Sequence, residues 1–144
     1  MENIKIKRLK EAAVLPKRAT EGSAGYDLSA CLDAPVCISP GQTMRIPTGI
    51  SIELPKGTAG FVFARSSVAT KFGVAPANCV GVIDSDYRGE VIVALRNSSH
   101  VIYNIEHGNR IAQLVIIPVL TPEIVETDLS ETGRGEGGFG STGK

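Results

Sequence analysis

At 144 residues, 42% hydrophobic and 21% charged, the chain has the size of one domain with a single core. Fifteen Lys and Arg balance fifteen Asp and Glu, so no net field draws it to nucleic acid or a membrane surface, and any phosphate ligand must be held by local groups. Three cysteines (Cys31, Cys37 and Cys79) with no C-x-x-C pair argue against a disulfide framework or a thiolate metal site, and fit small buried thiols in a reducing cytoplasm.

The predicted elements are short. Ile4–Lys7 alternates with period two, as a half-buried strand does. The stretch before Lys10 lacks the apolar run of a signal peptide, and no window approaches the ~18 apolar residues of a membrane span. Tyr26–Leu32 is the next strand, followed by Met44–Leu54, where Pro47 and Gly49 mark a bend or bulge. Thr58–Ala64, Cys79–Ile83, Val91–Leu95, Val101–Ile105 and Ile111–Leu120 complete the set. The stretch Ser66–Lys71 predicts one or two helical turns, capped by a serine and ended near Gly73. Short β-branched runs between turn residues predict an all-β sandwich or barrel with one short helix. Val91–Leu95 and Leu114–Val119 are apolar on both parities, which predicts strands covered on both faces and hence a subunit interface.

Residues 131–144 change character. They hold six glycines and one large apolar residue, Phe139, too little to form a core. The expected organisation is therefore a β domain over residues 1–130 and a glycine-rich C-terminal arm over 131–144. The arm ends in G-x-x-x-x-G-K, the first part of a P-loop. The following Ser or Thr and the flanking strand and helix are missing, so that reading is rejected. Its glycine amides, hydroxyls and Arg134 still suit a phosphate, and Phe139 suits a base.

Two other constellations carry chemistry. Gly81–Gly89 (GVIDSDYRG) places Asp84 and Asp86 two apart at a junction between apolar runs. Alone this is equally a polar hairpin tip. In Ala64–Ser67 a strand end meets a helix start beside Arg65, a combination that binds anions or simply caps a helix. His100 and His107 stand apart from any metal-ligand spacing and read as loop residues.

Taken together, five segments in order resemble the trimeric dUTPase family: Ala24–Ala30 (AGYDLSA), Ala64–Ala69 (ARSSVA), Asn78–Gly89 (NCVGVIDSDYRG), Gly108–Leu114 (GNRIAQL) and Arg134–Gly143 (RGEGGFGSTG). The resemblance spans nearly the whole chain. It implies a distorted jelly-roll or β-barrel subunit in a homotrimer. Each active site would take its first, second and fourth motifs from one chain, the third from another and the arm from the last. The implied reaction is Mg²⁺-dependent hydrolysis of dUTP to dUMP and pyrophosphate, which limits uracil in DNA and supplies dUMP. Asp84 resembles the base that activates the attacking water, and Tyr87 the residue that packs under the deoxyribose and excludes a 2′-hydroxyl. Asn78 resembles the uracil reader, with Val82 in the same hairpin. Arg65, Ser66, Ser67 and Gln113 match positions near the phosphates. Asp27 matches a carboxylate that touches the metal through water. In the arm, Phe139 would stack on uracil while Arg134, Gly140, Ser141 and Thr142 hold the γ-phosphate. No membrane or direct nucleic-acid partner is implied.

One residue departs from the family pattern: Ser67 stands where these enzymes usually have glycine. Arg-Ser-Ser also occurs in the related dCTP deaminases. Their catalytic glutamate lies in the strand after the third motif, where this chain has Ala94, which cannot move a proton. A regulatory relative without turnover is the remaining alternative, and dUTP hydrolysis by the pure protein separates the two.

Overall fold

The computed structural model describes residues 3–138. The strands are β1 Lys5–Arg8, β2 Tyr26–Ser29, β3 Val36–Ile38, β4 Thr43–Glu53, β5 Thr58–Ala64, β6 Val74–Pro76, β7 Gly81–Ile83, β8 Glu90–Asn97, β9 Tyr103–Ile105 and β10 Arg110–Pro118, with one helix, α1 Ser66–Phe72, after β5. They form two four-stranded sheets, ordered β1-β4-β8-β6 and β2-β10-β5-β7, and a two-stranded ribbon, β3-β9. Every pairing is antiparallel. This is a distorted jelly-roll whose sheets face each other without closing into a continuous barrel.

The core lies between the sheets. Ile46, Ile50, Val93 and Leu95 from the first meet Leu28, Val62, Ala112 and Leu114 from the second, and Ile38 and Ile105 of the ribbon close one end. Each large aliphatic side chain buried there contributes about 1.5–3 kcal/mol. A buried amide ties the ribbon to β8. The Asn97 Nδ2 donates to the carbonyls of Ile38 (2.8 Å) and Val101 (2.7 Å), and its Oδ1 accepts from Ser99 N and Oγ. Asn97 is fully buried without leaving a polar atom unpaired.

The structure corrects several expectations. β1 is not half-buried: all four residues are exposed, because it is an edge strand bonded to β4 alone. β8 is not covered on both faces within one chain. It alternates, with Val91, Val93, Leu95 and Asn97 inward and Ile92 39% exposed. β3 and β6, three residues each, were hidden from the pattern by their shortness. The helix is capped by Arg65 rather than by a serine. Arg65 is still extended (φ −80°, ψ 132°), so Ser66 is already helical and no side chain caps the start. Gly73 ends the helix in the left-handed conformation as expected. Of the thiols only Cys31 is buried.

The bend in β4 is a true irregularity. Its register against β8 breaks between Pro47 and Ser51. Pro47 has no amide to donate, and Gly49 sits at φ +69°. The Gly49 N–H is satisfied by Glu90 Oε1 at 2.8 Å instead of by the ladder. A Cβ there would lie 2.7 Å from Cys31 Sγ and 2.9 Å from Ala13 Cβ. Gly49→Ala therefore combines a disfavoured φ with overpacking. It is expected to destabilise the fold by about 2–4 kcal/mol, measured by urea unfolding. A loss below ~0.5 kcal/mol would contradict this packing.

Candidate functional site

The second sheet positions the site residues. Along β5, Phe61 and Phe63 point away from the core, and Arg65 continues that parity; opposite them in register stand Val115 and Gln113, and beyond Gln113 stands Asp27. The outer face of this sheet thus gathers Asp27 from β2, Gln113 from β10 and Arg65 from the end of β5. Three of the five motifs meet here because β10 pairs with β2 on one side and with β5 on the other.

At this corner lies a cavity of about 300 Å³ lined by Ser23, Gly25, Asp27, Arg65, Ser66 and Gln113, among others. Its electrostatic centre is Asp27. One carboxylate oxygen accepts from Arg65 Nε at 2.8 Å, and the other from Arg110 at 3.0 Å. The Asp27 and Arg65 side chains are each about 20% exposed, so their pair is well shielded, while Arg110 is 54% exposed. One carboxylate against two guanidiniums leaves a local excess of positive charge in a chain that is neutral overall. Gln113 is fixed as well: its Nε2 donates to the Ala64 carbonyl at 2.9 Å. Gly25 makes room for it, since a Cβ at that position would lie 2.8 Å from Gln113 Oε1. Ser66 is exposed at the cavity wall, and the half-buried Ser67 lies behind it in the helix.

Asp84 and its neighbours lie elsewhere. β7 pairs with β5 antiparallel, setting Ile83 opposite Gly60 and Val82 opposite Phe61. Asp84 follows Ile83 and heads towards the start of β5, whereas Arg65 lies past its end. Five to six residues of strand at ~3.3 Å each separate them by about 17–20 Å. Asp84 is exposed, its carbonyl accepting from Tyr87 N at 3.1 Å in a tight turn. Val82 and Tyr87 are 61% and 44% exposed. The Tyr87 hydroxyl donates to the Glu90 carbonyl at 3.0 Å. Arg88 bonds the carbonyls of Ser85 and Tyr87 at 2.7 and 3.0 Å, which stiffens the turn from inside. Asn78 is exposed before β7, next to Cys79, the one non-glycine residue at positive φ (62°) among those described.

In the arm, Arg134 bonds its own neighbour, Nε donating to the Gly137 carbonyl at 2.8 Å, in a turn exposed from Glu131 to Glu136. Phe139, Gly140, Ser141 and Thr142 lie outside the described residues. His107 Nδ1 accepts from Leu32 N at 3.3 Å and serves a loop, and His100 is exposed.

Sequence reasoning did not single out Arg110, Gly25 or Arg88. Arg110 opens β10 directly after the Gly108–Asn109 turn. Only the β2–β10 register, invisible in the sequence, puts its guanidinium on Asp27.

Fold and corner together define a jelly-roll β protein with an arginine-lined cavity on the outer face of one sheet, separate from an exposed acidic turn. The dUTPase family model matches residues 11–143. A deoxyuridine 5′-triphosphate nucleotidohydrolase of Desulfitobacterium hafniense is 54% identical over 99% of both chains, and one of Pasteurella multocida is 49% identical over 90% of this chain and 87% of its own. A Staphylococcus bacteriophage 80alpha dUTPase solved with dUpNHpp superposes with a TM-score of 0.87 at 30% identity over the whole of both chains. A mutant dUTPase of phage phi11 of S. aureus, described as coordinating a structural Mg(II) ion, superposes with a TM-score of 0.80 at 25% identity over 89% of this chain and 98% of its own. The chain belongs to the dUTPase family.

The Asp27 pairs lead to a differential expectation. Asp27→Asn leaves the shielded Arg65 without its counter-charge and should cost about 1–3 kcal/mol. Arg110→Ala removes only an exposed partner and should cost no more than about 0.5–1 kcal/mol. Urea unfolding of the two variants checks the order, and a larger loss for Arg110→Ala would overturn it.

Proposed function

We propose that this chain hydrolyses dUTP to dUMP and pyrophosphate in a homotrimer whose subunits complete one another's sites. The observation that carries the shared site is the separation along β5. One chain presents an arginine-lined corner and, ~17–20 Å away, an acidic turn, too far apart for both to act on one α-phosphorus. A second copy can set its turn against the first copy's corner. The exposed apolar residues Ile92, Leu120, Ile124, Val125 and Leu129 support assembly, because a monomer would leave them in water. The activity stated for the curated relatives and the dUpNHpp bound to the phage 80alpha enzyme support the substrate.

In this reading Arg65, Ser66 and Gln113 hold the phosphates. Asp27 keeps Arg65 extended across the cavity, which lowers the reorganisation needed when the substrate binds. Asp84 of another chain accepts a proton from a water. The water oxygen forms a bond to the α-phosphorus as the bond from that phosphorus to the α–β bridging oxygen breaks, and pyrophosphate leaves with the electron pair. Exposure of Asp84 on a stiffened turn suits a base that meets its water only across an interface. Asn78 and the β7 hairpin, including Val82, read the uracil, and Tyr87 lies under the deoxyribose. The arm, residues 131–144, is a separate unit that closes over the nucleotide, with Arg134, Gly140, Ser141 and Thr142 on the γ-phosphate and Phe139 on the base. Ser67 supports the phosphate loop from behind.

The residues suit Mg²⁺ held mainly by substrate. The described residues contain no cluster of three acidic, His or Cys ligands, so a protein cage does not fit. Asp27 accepts one hydrogen bond on each carboxylate oxygen, which leaves lone pairs for a metal-bound water. Bound there, Mg²⁺ would neutralise phosphate charge and align the triphosphate. A cytoplasmic location fits a nucleotide substrate and three free thiols. Among the described residues no helix is long and apolar enough to cross a membrane.

Asp84→Asn is expected to leave dUTP binding within a few-fold of the parent and to reduce turnover by at least ~10³-fold, read as pyrophosphate release beside calorimetric binding. Near-normal turnover would remove Asp84 as the base. Deleting residues 131–144 should leave a folded trimer by circular dichroism and sedimentation with at least ~10²-fold lower turnover; unchanged kinetics would remove the arm from the mechanism.

A further inference from the structure

Resting on the proposed role of Tyr87 beneath the sugar, we infer that Gly89 is a positioning residue for sugar selectivity, present because the tyrosine ring occupies the space a side chain would need. A Cβ built on Gly89 collides with the Tyr87 hydroxyl, and lies 2.5 Å from Cζ and 3.0 Å from Cε2 of the same ring. These are the three nearest atoms, and all belong to Tyr87. The backbone gives no other reason for glycine here, since Gly89 is absent from the residues at positive φ.

The geometry also says what yields. Tyr87 is 44% exposed, so its ring can swing into solvent. The neighbours of Gly89 cannot move so cheaply. Glu90 begins β8, is paired with Ser51 of β4, and holds the Gly49 N–H with its side chain. Its carbonyl takes the Tyr87 hydroxyl at 3.0 Å. The hydroxyl end of the ring thus lies against Gly89 and is tethered to the strand that follows. Arg88 holds the Tyr87 carbonyl from the other side, so the main chain of the turn stays in place while the ring moves. A methyl at Gly89 therefore lifts the ring without unmaking the hairpin. The steric wall against a 2′-hydroxyl is lost although the tyrosine is still present.

The test compares wild type with Gly89→Ala, Tyr87→Ala and the double variant, measuring kcat/KM for dUTP and UTP with folding checked by circular dichroism. Gly89→Ala should lower the dUTP-to-UTP ratio at least tenfold and add little in the Tyr87→Ala background, because both changes remove the same wall. A ratio lost in Tyr87→Ala but kept in Gly89→Ala overturns the inference alone. A ratio kept in both removes the sugar role of Tyr87 and the inference with it. If Gly89→Ala does not fold, Tyr87→Phe takes its place: it deletes only the tether to Glu90 and should lower the ratio several-fold, and an unchanged ratio counts against the inference.

Discussion

Strand β5 sets the spacing on which everything else in this molecule depends. It is bonded on one side to β10 along its whole length and on the other to β7 through its middle. Its final residue leads straight into the arginine that heads the helix. These bonds leave β5 no freedom to slide: a slip of one residue would turn Val62 out of the core and Phe61 into it. The arginine corner and the acidic turn are therefore held towards opposite ends of a rigid strand. In the proposed homotrimer, chemistry that needs both would reach across to another copy of the chain, and the sharing of sites would follow from strand register.

The corner itself illustrates how a neutral chain concentrates positive charge locally. Two guanidiniums converge on one carboxylate, and the pairing fixes their positions while leaving positive charge in excess. The carboxylate is as well shielded as Arg65 and better shielded than Arg110, so it serves as the anchor of the pair. The side chains that surround it are aligned by close approaches at glycine, as at Gly25 beneath Gln113.

Much of this was legible in the sequence, and what was not had physical causes. The long strands β4, β5 and β10 announced themselves by β-branched runs, and Pro47 and Gly49 marked the bulge correctly. β3 and β6 could not be seen, because three residues carry no measurable period and neither was part of a longer predicted run, as β7 and β9 were. Val91–Leu95 misled because five apolar residues in a row hide which parity faces the core; in the fold, Val91, Val93 and Leu95 do, while Ile92 faces out. The serine cap was misplaced by one residue, since nothing local tells whether Arg65 ends a strand or starts a helix. At the site, residue identities were readable from motifs, but partnerships were not. That Asp27 lies between Arg65 and Arg110 depends on which strands are neighbours, and separations of 38 and 83 residues hide that from any local pattern. The close approach of the Tyr87 ring to Gly89 was equally hidden, because it depends on how that ring lies.

The bulge in β4 has a reach beyond the strand it bends. Glu90 grips the bulge with its side chain and the tyrosine of the acidic turn with its main chain. The bulge in turn is wedged against Cys31 and Ala13 inside the core. Opening of this part of the core, even as a brief local fluctuation, would free the tyrosine at the same moment. The position of the tyrosine ring is thereby tied to the integrity of the interior. With Tyr87 beneath the sugar as proposed, packing lost at the bulge would erode discrimination between substrates before it unfolds the protein.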